Sequence, residues 1–259
     1  PLVDDRLDVR LAGEWTKRNG YSFNEITNSS IDGRDLWSGR LSIGWKPTSD
    51  IQAYLIWEHF SENDDRIRSS KQLCKRDPGL TQIDGVDIPQ TGGAFSATTF
   101  LSQGCLPVSL YSPEAFQVPN GFSLPYYGPL ANAGAPLDPT IDPYADTVQS
   151  PNLRNIQSTL DPIYKAKNDI VELNADYHVT PSLTITSQTG FNHDFLWSTE
   201  DYNRFNTAPG IFLPGGRNGD RFDLISADGV FCDPQLGCSD RLVVQDLSEE
   251  HAWQFSQEL

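Results

Sequence analysis

No run of apolar residues in this chain approaches the roughly 20 that a membrane-spanning helix requires, which excludes a helical anchor. Methionine is absent, and the chain opens at Pro1 without a signal sequence, so it reads as an internal piece of a longer protein. Positive charge is scarce: 19 Lys and Arg stand against 35 Asp and Glu, a net charge of -16. A nucleic-acid surface needs clustered cations to meet phosphate, so DNA and RNA are excluded as partners. Only 37% of the residues are hydrophobic, below the share of about 45–50% in ordinary globular domains. One large buried core is not expected.

Catalytic signatures are missing as well. No GxSxG, HExxH, GxxxxGK[ST], GxGxxG or EF-hand pattern occurs, and the histidines, His59, His178, His193 and His251, are scattered over separate segments. Neither enzymatic activity nor a resident cofactor or metal is expected.

What is present is a period of two. Leu7, Val9, Leu11, Gly13 and Trp15 alternate with Arg6, Asp8, Arg10, Ala12, Glu14 and Thr16. The pattern recurs in Trp37, Leu41, Ile43 and Trp45, in Ile51, Ala53, Leu55 and Trp57, and in Val171, Leu173, Ala175, Tyr177 and Val179. Leu183, Ile185, Phe191, Phe195 and Trp197 continue it, and Trp253, Phe255 and Leu259 close it. Alternation of this kind is the signature of strands with one apolar face. Six strands are expected at about 5–17, 35–46, 51–63, 168–179, 183–197 and 249–259. All six Trp residues share the apolar phase, several near strand ends, where an amphipathic ring meets a membrane–water interface.

A water-soluble sandwich also alternates, so the connections decide between the two. Strands two and three, and strands four and five, are joined by tight turns, whereas long loops fill 18–34, 66–166 and 198–248. Short and long connections alternate strictly. Antiparallel neighbours then place every tight turn at one end and every long loop at the other, as in outer-membrane barrels. The fold expected is all-β: an antiparallel transmembrane β-barrel region with long extracellular loops. Leu41, Ile43, Leu173 and Ile185 should face lipid, while Arg6, Asp8, Arg10, Glu14, Arg40, Glu172, Asn174 and Asp176 should line the lumen.

Twelve of the eighteen prolines fall between Pro78 and Pro162, which excludes repeated helix or strand there. The aromatics Phe95, Phe100, Tyr111, Phe116, Tyr126 and Tyr127 are candidates for contacting a ligand, with ordinary loop packing as the competing explanation. Cys74 and Cys105 lie in one loop and Cys232 and Cys238 in another; pairing within each loop is natural and requires an oxidising compartment. Residues 198–250 hold four basic and ten acidic side chains. Asp220, Asp223, Asp228 and Asp233 are conceivable Ca²⁺ ligands, a solvated acidic loop being the commoner reading.

Leu7 to Tyr21 (LDVRLAGEWTKRNGY), Ser38 to Asp50 (SGRLSIGWKPTSD) and Phe255 to Leu259 (FSQEL) resemble barrel segments of TonB-dependent outer-membrane receptors of Gram-negative proteobacteria. The order agrees: an arginine-bearing strand and a basic-Asn-Gly-Tyr corner, an SGR strand ending at W-x-P-T-x-D, and an SQEL strand after a long loop. The resemblance implies six strands of a barrel of about 22. It further implies a bacterial outer-membrane receptor that imports a siderophore, vitamin or oligosaccharide when the TonB complex acts on a plug domain missing from this chain. A passive porin and a secreted glycan-binding β-sandwich are the alternatives.

Overall fold

The computed structural model describes residues 1–88, 101–119, 144, 147–212 and 226–259. It is all-β among these residues, apart from one short 3-10 turn at Pro113–Ala115. Six long strands dominate: β1 (Leu7–Arg18), β2 (Arg34–Trp45), β3 (Ile51–Asp64), β4 (Ile163–Thr180), β5 (Leu183–Glu200) and β6 (Asp246–Glu258). They form one sheet in chain order, each pairing only with its sequence neighbours. Every pairing is antiparallel. β1 and β6 remain free edges, so the described sheet is open and no closed barrel forms.

Several strands run further than their apolar alternation. β4 begins at Ile163 and not at 168, β5 continues to Glu200, and β6 starts at Asp246. The added segments are polar but fully laddered: Tyr164 lies opposite Asp64, Lys165 opposite Asn63 and Lys167 opposite Ser61. Backbone pairing, not side-chain hydrophobicity, carries the strand there, and that leaves no periodic mark in the sequence.

The long loops are folded. Ser22–Asn24 pairs antiparallel with Ser29–Ile31 and parallel with Asn155–Ile156, tying the first loop to the second. Strand is therefore not excluded from 66–166, contrary to the proline argument. Lys75–Arg76 pairs with Cys105–Leu106, and Gln82–Ile83 with Val86–Asp87. Pieces of two or three residues are too short to show a period. Gly20 explains part of the corner that follows β1: it abuts the Ile31 backbone so closely that any Cβ would collide. Beside it, the Arg18 guanidinium stacks 4.6 Å from the Tyr21 ring centre, and Arg154 stacks at 5.4 Å.

The buried apolar residues, among them Ile31, Ala115, Val118, Tyr144, Ile156, Phe205 and Phe212, all belong to the loops. Val118, Tyr144 and Phe205 form a cluster, with Leu242 against it. No apolar side chain of β1 to β6 belongs to this buried set. The molecule thus has its core in a cap at the long-loop end, and a single-layer sheet below.

The disulfides are Cys74–Cys105 and Cys232–Cys238, 31 and 6 residues apart in sequence. Closing those loops in the unfolded chain removes entropy equivalent to about 4 and about 2 kcal/mol respectively. Cys74→Ser/Cys105→Ser is therefore expected to loosen the cap more than Cys232→Ser/Cys238→Ser. Limited proteolysis of the two variants checks this, and equal sensitivity would contradict it.

Candidate functional site

The pairing register sorts the sheet into two chemically opposite faces. One row across all six strands reads Leu11, Leu41, Trp57, Val171, Phe191 and Phe255. All six Trp residues point to this same side. Leu41, Ile43, Leu173 and Ile185 lie on it too; the last two are exposed and the first two are half-covered by adjoining strands. Nothing forms a second layer over the face among the described residues. Leu11 stays 77% and Trp253 75% exposed, against the expectation that water drives such side chains under cover.

Arg6, Asp8, Arg10, Glu14, Arg40, Glu172, Asn174 and Asp176 share the other face. Hydrogen bonds run across it from strand to strand. Arg40 pairs with Glu58 at 3.1 Å, and Asp176 accepts from Gln52 at 2.9 Å and from Thr186 at 2.7 Å. Asn174 donates to Glu172 at 2.7 Å. Two concavities, of about 500 and 300 Å³, both open on this polar side. The first is walled by Arg6, Arg10, Gln52, Tyr54, Asn174 and Asp176; the second by Glu172, Gln188, Asn192, Gln254 and Glu258. Both concavities thus lie on the polar face, opposite the uncovered apolar one.

At the long-loop end the strands deliver charged groups into the cap. Glu200, the last residue of β5, and Arg204 four residues on are each 1% exposed and are ion-paired. Glu200 also accepts the Arg68 backbone N–H at 2.9 Å, and the Arg68 guanidinium reaches Asp246 at 2.7 Å and Ser248 at 2.8 Å. This clasp joins the second and third loops to β5 and β6. A second hub is Asp161, which accepts from Asn24 at 2.9 Å, Thr27 at 2.7 Å and Ser29 at 2.8 Å and so seats the first loop. Neither hub has a sequence signature, because each joins residues more than a hundred positions apart.

Burial acts on the ionisable groups of the cap. Asp201 is pushed up to about 6 by loss of solvent, with Glu200 adding to the rise and the Asn203 N–H, Ser158 and Arg204 opposing it. Its native form then holds a proton that the unfolded chain has released between about pH 4 and 6, so this group makes the cap less stable as pH rises through that window. Hydrogen exchange at 201–207 is expected to quicken from about pH 4 to 6, and Asp201→Asn should flatten the profile. An unchanged slope in that variant would refute the assignment. Tyr144, buried against Phe205, is raised to about 12.

Of the candidate ligand aromatics, Tyr111 projects into solvent at 93% exposure, and Phe116 is half-buried. Phe116 packs the cap: the Lys71 ammonium lies 6.0 Å from its ring and donates to the Ser150 and Asn152 carbonyls at 2.5 and 2.9 Å. Burial lowers Lys71 to about 8. Phe95, Phe100, Tyr126 and Tyr127 lie outside the described residues, as do Asp220 and Asp223. Asp228 and Asp233 cap their own turns: Asp228 accepts the Val230 N–H at 3.1 Å, and Asp233 those of Gln235 and Leu236 at 2.7 and 2.9 Å. No cluster of three or more potential metal ligands occurs among the described residues.

The histidines are less scattered than their sequence positions suggest. Asp169 on β4 holds the His59 Nδ1 of β3 at 2.8 Å and accepts the Trp57 indole N–H at 3.2 Å, with His193 opposite it on β5. Cross-strand register brings these four residues together, which linear spacing conceals. No family model, curated protein or solved structure matches the chain.

Proposed function

We propose that this chain is part of the wall and outer cap of an outer-membrane β-barrel receptor of the TonB-dependent kind, which binds a scarce, bulky solute and passes it through an energised lumen. The observation that carries this reading is the two-faced single-layer sheet: an uncovered apolar face and a hydrogen-bonded polar face that holds the two concavities, with turns at 46–50 and 181–182 below and folded loops above.

A secreted sandwich needs a second sheet over the apolar face, and none is present among the described residues. The cap supports selection of solute: an array of packed loops above a polar concavity is where a large ligand meets converging polar and aromatic groups. Ferric siderophores, vitamins and oligosaccharides fit that description equally. The test is uptake by a deletion strain on defined iron and carbon sources, before and after collapse of the proton-motive force. Energised import restored by the gene is the expected result. Uptake that survives the collapse points to a passive porin.

A further inference from the structure

We propose that the two concavities of the polar face act as one site for a zwitterionic solute, a short peptide whose carboxylate meets Arg6 and Arg10 and whose ammonium meets Glu172 and Glu258. The proposal rests on the receptor reading and narrows its solute. Charge is divided between the two hollows. In the first, Arg6, Arg10 and Lys46 outnumber Asp8 and Asp176, and Asp176 is already engaged by Gln52 and Thr186 at 2.9 and 2.7 Å. The second holds Glu172 and Glu258, and no described Lys or Arg lines it. One row nearer the long loops the same face compensates itself, because Arg40 on β2 meets Glu58 on the adjoining β3 at 3.1 Å. Arg10 and Glu172 make no such pair. Register sets Arg10, Ser42, Ile56 and Glu172 in one row on β1 to β4. Three strand spacings, about 14 Å, therefore separate the two backbones, the length of an extended chain of about four residues.

What lies between the charges suits a peptide. The hollows meet at Asn174, which lines both. Its Nδ2 donates to Glu172 at 2.7 Å, while its Oδ1 is buried without a hydrogen-bond partner. A lone acceptor of this kind is costly until something donates to it, and a peptide N–H does so. Gln188 and Gln254 in the second hollow carry amides that donate and accept in the same way as a peptide backbone. Charge then decides among solute classes. A polyanion gains at Arg6 and Arg10 but is repelled by Glu172 and Glu258, a polycation meets the reverse, and a neutral sugar gains at neither end. A solute with opposite charges at its two ends gains at both.

The test is calorimetric titration of full-length protein in phosphatidylcholine nanodiscs with tetra-alanine, its N-acetyl form, its C-terminal amide and maltotetraose. Saturable binding of tetra-alanine is expected, and blocking either end should weaken it about fivefold, the worth of one solvent-exposed ion pair. Arg6→Gln/Arg10→Gln should bind tetra-alanine and its amide alike, and Glu172→Gln/Glu258→Gln should bind tetra-alanine and its N-acetyl form alike. Each variant keeps hydrogen-bonding groups in place and removes only charge. Equal affinity of the native protein for the three peptide forms would overturn the site, as would tighter binding of maltotetraose or an end preference that neither variant moves. Native protein that enters the discs without binding tetra-alanine overturns this proposal alone; failure to enter them overturns the receptor reading beneath it.

Discussion

In the proposed outer-membrane barrel, Leu173→Arg on β4 is expected to depress assembly by the equivalent of about 2–4 kcal/mol, whereas Asn174→Arg beside it should leave assembly near the native level. Leu173 is exposed on the apolar face, in a row with Val9, Ile43 and Leu55. On the proposed reading, an arginine there is dragged into hydrocarbon. Asn174 faces the polar concavity, where a guanidinium finds Glu172 and Asp176 nearby and stays wet. Leu41→Arg should match Leu173→Arg. Ser42→Arg is a poorer control than its polar alternation suggests, because Ser42 is only 6% exposed and an arginine would have to displace its neighbours. Denaturant titration of vesicle-inserted protein checks the prediction, and indistinguishable stabilities for Leu173→Arg and Asn174→Arg would sink the assignment of faces.

Arg204→Ala should open the cap. Removing one member of a buried ion pair leaves the other charge without compensation, at a cost of about 3–5 kcal/mol. Glu200 is the group left behind, and it also receives the Arg68 backbone, so the loss should spread to the contacts that Arg68 makes with Asp246 and Ser248. Because the core cluster at Phe205 is the next residue along, protease cleavage within 201–212 is the expected symptom, with the β1 to β6 ladder intact. Arg204→Met/Glu200→Gln removes both charges together and should recover a large part of the stability. A double variant as labile as Arg204→Ala would mean that the guanidinium's shape, not its charge, holds the cap. Under the proposed function, solute uptake should fall in Arg204→Ala before membrane assembly does, since the lesion lies in the cap.

The six strands were legible in the sequence because each side chain on a β-strand alternates faces regardless of what surrounds it. The positions of Trp15, Trp37, Trp45, Trp57, Trp197 and Trp253 on one phase needed only counting, and the register sets them on one face. The tight turns after Trp45 and Thr180 were marked by Pro47 and Pro181. The two disulfides followed from the placing of four cysteines in two loops. The opening of β4 at Ile163 was not legible, since Lys165 and Lys167 interrupt the apolar pattern while their backbones remain laddered. The functional part was readable only as composition: a polar face, aromatic loops, an acidic stretch. Which loop residues lie together was not: Phe116 stands beside the Lys71 ammonium, and Asp228 and Asp233 accept backbone N–H groups of their own turns.

The division has a physical cause. Period, turn chemistry and cysteine placement are local properties, and they sufficed for antiparallel strands with one greasy and one polar side. The absence of a layer over the greasy side, the reach of Arg68 to Glu200 and Asp246, and the Asp161 hub depend on how residues separated by tens to more than a hundred positions come together. Such contacts form only when strand pairing has already brought the loops together, so they belong to the tertiary structure alone.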